Sequence, residues 1–165
     1  MKNLIVIDPA KVSGVAIFNE NGDLCKSLVV KPMGGKGKWY AGAEIYESQI
    51  LAWDSVYRSI RTNKRVIIER GFGAMMTAVR AQGIQIGWHN CMCANYCIES
   101  PTQVNVSEWR RVIKEDQSIS WPKESERCKA LSVQLVEKLY SLKVTADESD
   151  AILLGRAAIR MGVAN

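Results

Sequence analysis

The sequence contains no apolar run that approaches the roughly 18 residues of a membrane-spanning helix, because charged side chains interrupt it throughout its 165 positions. The apolar start at residues 1–7 is too short for a secretory signal and is ended by Asp8. The five cysteines are an odd number, which does not suit a frame of paired disulfides. We therefore expect a cytoplasmic protein with reduced thiols.

Motifs of several large enzyme classes are also missing. The chain has no Walker loop, no Gly-x-Gly-x-x-Gly and no Gly-x-Ser-x-Gly. Nucleotide binding by a glycine-rich loop and serine-hydrolase activity therefore have no support in the sequence. It has no internal repeat and no low-complexity segment, and its length suits one domain with its own core. The formal net charge of +5 suits a polyanionic partner.

The first thirty residues predict a meander of three antiparallel strands. A β-branched run ends at Asp8, and Asn21-Gly22 is typical of a hairpin turn. The predicted strands cover residues 3–7, 12–18 and 24–30. The loop of residues 31–38 that follows contains Lys36 and Lys38, and it is either a plain solvated loop or a phosphate contact.

Further along, segments with helical spacing of apolar residues alternate with two short strands. Predicted helices cover residues 40–60, 74–98, 108–114 and 123–142, and predicted strands cover residues 66–68 and 101–106. The strand at 66–68 is fully apolar, which is typical of the middle of a sheet covered on both faces. Glu69 follows it and should emerge at the carboxyl edge of the sheet, where α/β proteins keep their sites. Ser107 is the predicted N-cap of the third helix.

Acidic residues open the last predicted helix, within residues 144–159. Thr145 or Asp147 can serve as its N-cap, and the apolar run after Asp150 predicts a helix buried on most sides. Asp147 and Asp150 are three residues apart, which places both carboxylates on one helical face. Taken alone, such a pair is either a set of capping acids or part of a site.

Asp8 and Glu69 each follow a predicted strand. We expect the sheet topology to place them close to Asp147 and Asp150. Four carboxylates in one cleft repel one another unless cations neutralise them. Hard oxygen ligands favour Mg²⁺ or Mn²⁺. Two such ions can activate a water and hold the leaving oxygen during attack on phosphorus, which is nuclease chemistry.

The helix at 74–98 carries the only histidine together with several sulfur side chains. His89, Cys93 and Cys97 are four residues apart, with Cys91 beside them. We reject a zinc site, because structural zinc usually draws its ligands from two separate elements. Such a stripe more often serves core or subunit-interface packing, and we favour packing against a second copy. The residues expected in that interface are Met75, Met76, Cys91 and Met92.

Two groups of basic residues are candidates for contact with an anion. One lies near the start of the helix at 123–142, where the helix dipole disfavours cations, and consists of Lys123, Arg127 and Lys129. The other precedes the central strand and either extends a nucleic-acid track or is a solvated turn; it consists of Arg58, Arg61, Lys64 and Arg65.

Three short motifs, in order along the chain, resemble those of RuvC-type Holliday junction resolvases in the RNase H-like superfamily. They are Ile7-Asp8-Pro9-Ala10-Lys11-Val12-Ser13-Gly14, Ile67-Ile68-Glu69 and Ala146-Asp147-Glu148-Ser149-Asp150-Ala151. The order of elements matches too, so the resemblance covers nearly the whole chain as a single domain of residues 1–165. Ala10 departs from it, because the family commonly has glycine there; a requirement for positive φ would alter the first turn.

The resemblance implies an α/β fold with a five-stranded mixed sheet, three strands antiparallel and then parallel, flanked by helices. It implies a homodimer that resolves four-way DNA junctions by Mg²⁺-dependent paired nicking in recombination and repair, in a phage or a bacterium. The catalytic and metal-binding residues that it implies are Asp8, Glu69, Asp147 and Asp150. The implied DNA-binding residues are Phe72, which would stack at the junction centre, and Lys114 and Arg127, with Lys123 and Lys129 as competitors.

Other functions remain open at this stage. The acids alone do not separate a DNA junction from RNA or an RNA-DNA hybrid as substrate. A non-catalytic DNA-binding protein of the same fold is a further alternative, although the presence of all four acids argues against it. A sugar-kinase or actin-like ATPase also begins with a strand that carries an acid, but that architecture needs two such domains and this chain is too short.

Overall fold

Five strands form one mixed sheet. The computed structural model describes residues 1–10, 12–31, 51–59, 63–70 and 76–164, with side chains described from residue 83 onward in the last range. The strands are β1 (Asn3–Asp8), β2 (Ser13–Phe18), β3 (Leu24–Val30), β4 (Lys64–Arg70) and β5 (Thr102–Asn105). Their order across the sheet is β3-β2-β1-β4-β5. The first three are antiparallel, and β1, β4 and β5 are parallel, which confirms the predicted sheet.

Helices cover both faces of this sheet. They are α1 (51–58 within the described residues), α2 (Met76–Asn95), α3 (Val106–Gln117), α4 (Ser125–Tyr140) and α5 (Ala146–Arg160). The prediction of Ser107 as the N-cap of α3 was wrong. Asn105 holds that position, because Glu108 accepts hydrogen bonds from both its backbone N–H and its side-chain amide, each at 2.9 Å. Helix α3 therefore starts directly from the end of β5.

Alternate residues along each strand enter two separate cores. Leu4, Val6 and Phe18 are fully buried in the core that contains α3, α4 and α5. Ile5 and Ile7 are fully buried on the other face, in the core that contains residues of α1 and α2. This alternation follows from the two-residue repeat of a strand. It fixes which side chains of β1 and β4 face α5.

Helix α5 is buried on most sides, as its apolar run predicts, and packs on β1, β2, α3 and α4. Thr145 is its N-cap and accepts a hydrogen bond from the backbone N–H of Glu148. The Glu148 carboxylate in turn accepts a hydrogen bond from the Ser27 hydroxyl on β3 at 2.9 Å. The first turn of α5 is thereby tied to the sheet.

Gly14 sets how closely that first turn approaches the sheet. It pairs with Asp8 across β1 and β2. A Cβ atom added at Gly14 would lie 1.8 Å from the backbone oxygen of Asp147. Only a residue without a side chain leaves room for the start of α5 beside the end of β1.

The turn between β1 and β2, which contains Ala10, does not need a residue with positive φ. Among the described residues, the non-glycine residues with positive φ are Asn63, Cys97, Ser118 and Ser141, so Ala10 is not in the left-handed region. Instead, the Ser13 hydroxyl donates to the Ala10 carbonyl at 2.9 Å. An alanine in place of the family's glycine is therefore compatible with this turn.

The basic residues ahead of β4 lie at its amino end, on the opposite edge of the sheet from Glu69. Arg58 pairs with Asp54 at 2.7 Å. Lys64 donates to a backbone carbonyl at 2.6 Å, and Arg65 donates to another at 2.9 Å. These contacts are all within the chain, and the choice between an extended nucleic-acid track and a solvated turn stays a prediction. Arg61 lies outside the described residues.

Two sulfur-containing side chains of helix α2 pack in the core of this chain. Met92 and Cys93 are buried with residues of β1 and α1, so the expected place of Met92 in an interface was wrong. Cys91 and Cys97 are exposed. Met75 lies outside the described residues, and Met76 is described only as part of the backbone of α2. No helix in the described ranges is both long and apolar enough to cross a membrane.

His89 is a fully buried histidine in that core. Its Nδ1 lies 3.1 Å from the Tyr57 hydroxyl, and its ring meets the Trp53 ring edge-on with centroids 4.5 Å apart. Nε2 has no hydrogen-bond partner. Burial lowers the pKa of His89 to about 3, so the ring is neutral in the folded protein.

This burial predicts a loss of stability in mild acid. The unfolded chain binds a proton at His89 below pH of about 6.5 and the folded chain does not, so stability present above that pH is lost as pH falls toward about 3. Between pH 7 and pH 5 the loss from this group is about 2 kcal/mol. Urea unfolding at both pH values measures it. The His89→Gln variant is the control and should lack this part of the pH dependence; an identical pH dependence in both proteins would contradict the prediction.

A second prediction concerns the contact beneath α5. Gly14→Ala should lower the free energy of unfolding by roughly 1–3 kcal/mol, because the new methyl group overpacks a backbone carbonyl. Gly87→Ala is the matched control, since a Cβ there meets nothing within 4 Å, and on helix α2 it should stabilise by about 0.5–1 kcal/mol. Urea unfolding of both variants measures the two changes in the free energy of unfolding. If the two substitutions had the same effect, the close approach at Gly14 would be refuted.

Candidate active site

Two acidic side chains lie next to each other at the carboxyl edge of the sheet. Ile7 of β1 is paired with Ile68 of β4 in parallel register, so Asp8 and Glu69 follow at the same level. Glu69 is in turn paired with Val104 of β5. The sequence prediction that Asp8 and Glu69 meet at this edge is supported by the register.

Helix α5 brings the other two acids to the same edge. Asp147 stands in its first turn, above Gly14, and Asp150 follows one turn later. Asp150 is only 6% exposed, and its Oδ1 makes no hydrogen bond. A buried carboxylate oxygen without a partner is costly. An additional donor or a cation would relieve that cost.

The ionisation of Asp8 is influenced by the other three acids. Burial raises the pKa of Asp8 well above its ordinary value. Repulsion from Glu69, Asp150 and Asp147, in that order, raises it further. The ammonium group of Lys129 acts in the opposite direction. Each of these charges therefore lies close enough to Asp8 to change its ionisation.

The pKa values of Glu69 and Asp150 are raised as well, first of all by burial. For Glu69, a hydrogen bond from Trp109 opposes the rise, and repulsion by Asp150 adds to it. For Asp150, the Ser132 hydroxyl and then the Arg110 guanidinium oppose it. The folded protein thus holds these carboxylates in an environment that disfavours their charge. That condition is met by bound cations or by retained protons.

Lys129 is the basic residue that the structure places against the acids. Its Nζ lies 3.3 Å from Asp147 Oδ1. Lys114 and Lys123 are exposed, and Arg127 is exposed with a loose pair to Glu124 at 3.8 Å. Of these four cations, the sequence favoured Lys114 and Arg127, whereas the structure places Lys129 beside an acid. Three other predicted DNA-binding residues lie outside the described residues, namely Phe72, Lys36 and Lys38.

The donor set suits a divalent cation of the hard type. The acids contribute only carboxylate oxygens, and one of these, Asp150 Oδ1, is buried without a partner; oxygen donors of this kind favour Mg²⁺ and Mn²⁺. Within the ranges that the structure describes, no three His, Cys, Asp or Glu side chains are already spaced to hold a metal ion. Among the described residues the carboxylates thus form no finished cage, and a bound ion would require some side-chain adjustment.

Several residues around the acids were not assigned to the site from the sequence. Trp109 donates its indole N–H to Glu69 Oε2 at 2.7 Å. Arg110 lies over the rings of Trp109 and Trp121, at 5.3 and 5.1 Å from their centroids. Ser132 lies in α4, where its buried hydroxyl faces Asp150. The sequence showed a basic face on α3, but no motif marks a tryptophan as the partner of a distant glutamate.

Comparison with known proteins identifies a shared fold. No protein-family model and no curated protein matches the chain. Two solved structures of RuvC from Thermus thermophilus match it over 99% of this chain and 98% of their own, with 15% sequence identity. The TM-score is 0.69 for RuvC in complex with a Holliday junction substrate and 0.65 for the other structure. The chain therefore has the RuvC-type, RNase H-like fold that its three motifs predict.

Proposed function

We propose that this chain is a divalent-metal-dependent endonuclease that resolves four-way DNA junctions by paired nicking. The observation that carries the proposal is the convergence of Asp8, Glu69 and Asp150 at one edge of the sheet, with raised pKa values. The similarity in fold to RuvC, one structure of which holds a Holliday junction substrate, supports the choice of DNA over other polyanions.

The four acids would hold the metal, and the protein around them would set its position. Asp150 would be the buried ligand, Asp8 and Glu69 are half-buried, and Asp147 would complete the set from the first turn of α5. Bound Mg²⁺ or Mn²⁺, two ions in the full site, would supply an activated water and neutralise the leaving oxygen. Lys129, beside Asp147, is placed to exchange its carboxylate partner for a DNA phosphate.

Exposed cations outside this edge would contact the DNA backbone. Lys123 and Arg127 lie around the start of α4, and Lys114 lies in the last turn of α3. Cations near the start of a helix are not favoured by its dipole, which fits a role in binding an anion. The basic loop with Lys36 and Lys38, and Phe72 after β4, belong to the same proposal as contacts to the junction.

A homodimer is part of this proposal, because paired nicking needs two active sites. A four-way junction has approximate two-fold symmetry, so a two-fold dimer places equivalent sites on two opposed strands. The exposed side of α2, with Cys91 and the 48% exposed Ile84, is available for it. Met92 is not, since it packs in the chain's own core.

The decisive activity test removes one metal-binding carboxylate. Glu69→Gln should still bind a four-way junction and should cut it at least about 100-fold more slowly in Mg²⁺, since the metal supplies several kcal/mol of transition-state stabilisation. A gel assay of cleavage, with and without Mg²⁺, measures this. Glu20→Gln, at an exposed position in the β2–β3 turn, is the matched control and should cut like the wild type.

The same assay separates the substrate classes. Four-way junction, flap, duplex and RNA-DNA hybrid are offered at equal concentration, and the junction should be cut fastest. Preference for the hybrid would replace the proposal with an RNase H-like activity. Equal cutting by the wild type and Glu69→Gln would remove Glu69 from the mechanism.

A further inference from the structure

We propose that Trp109 is a positioning residue for Glu69, whose indole N–H holds one carboxylate oxygen so that the other is presented to the cation. This inference rests on the proposed function, because it concerns the same carboxylates. It adds a residue that lies in a different element and that the motifs do not contain. Trp109 itself touches neither substrate nor metal in this account.

The contact between the two side chains is short, and its donor side chain is fully buried. Trp109 Nε1 lies 2.7 Å from Glu69 Oε2, and Trp109 is fully buried. An indole has one donor and no acceptor, so this bond fixes which carboxylate oxygen faces the ring. Because the donor carries no charge, it orients Glu69 without competing with a metal ion for the carboxylate's negative charge.

The position of Trp109 is itself fixed from several sides. Trp121 packs edge-on against its ring with centroids 5.6 Å apart, and Trp121 Nε1 donates to the Arg110 carbonyl at 2.8 Å. The Arg110 side chain stacks on both rings. Helix α3 is further held to α5 by Asp116, which pairs with Arg156 and Arg160 at 2.8 and 2.6 Å. The indole N–H thus belongs to a rigid frame.

A rigid second layer of this kind affects metal affinity. Groups that hydrogen-bond to a metal ligand hold it in the binding orientation, and removing them typically weakens metal binding about 10- to 100-fold. A purely structural role for Trp109 predicts something else. In that case Glu69 only satisfies a buried N–H, and loss of the N–H changes stability but leaves metal affinity unaltered.

The test compares two tryptophan-to-phenylalanine variants in the absence of DNA. Calorimetric titration with Mn²⁺ should give a dissociation constant about 10-fold or more above the wild-type value for Trp109→Phe. Trp121→Phe is the matched control, because it keeps an aromatic ring against Trp109 and removes only an indole N–H that serves a backbone carbonyl. It should keep the wild-type affinity.

The outcomes distinguish this inference from the proposed function. Equal Mn²⁺ affinity in the wild type and Trp109→Phe overturns the positioning role and leaves the nuclease proposal standing. Weakened binding in Trp109→Phe, in a protein that cuts no junction, supports the positioning role and contradicts the nuclease. A wild type that binds no Mn²⁺ overturns both.

A measurement on the wild type covers the case in which Trp109→Phe does not fold. The indole N–H resonances in a ¹⁵N-correlated NMR spectrum are followed during a Mg²⁺ titration. The resonance of Trp109 should shift as the site saturates, and by more than that of Trp121. A Trp109 resonance that stays in place while Mg²⁺ saturates the protein overturns the inference.

Discussion

The structure of the site depends on the burial of several carboxylates at one edge of a sheet. Burial and mutual repulsion both disfavour their charge, and the pKa of Asp8 rises most clearly as a result. The structure supplies partial compensation through Lys129, through the cation of Arg110 and through the neutral indole of Trp109. A hard divalent cation would complete that compensation, which is why the arrangement fits metal-dependent chemistry.

The remaining structure brings these acids together and holds them. Parallel register between β1 and β4 puts Asp8 beside Glu69. Helix α5 reaches the same edge because Gly14 leaves space under its first turn and because Glu148 in that turn accepts a hydrogen bond from Ser27 of β3. A change at Gly14, which is far from Asp147 in sequence, therefore acts directly on the backbone position of Asp147. Stability and site geometry are linked through this contact.

Much of this was predictable from the sequence because it depends on local rules. Strand ends and the three-residue spacing of Asp147 and Asp150 follow from the periodicity of strands and helices. The partnership of Trp109 with Glu69 was not predictable, since it depends on how α3 packs on the sheet. The assignment of Met92 to an interface was wrong because tertiary packing cannot be read from a single helix. A methionine on a helix can be covered either by the chain's own core or by a second copy, and the sequence does not distinguish the two.

The central claim is that carboxylates from distant parts of the chain share one cation site. Anomalous diffraction from crystals of the protein grown or soaked with MnCl₂ tests it most directly, because the Mn²⁺ signal locates the ion independently of any activity. The account predicts a peak within coordination distance of Asp8, Glu69 and Asp150. A well-occupied peak elsewhere, or none at this edge while the three side chains are ordered, would contradict it.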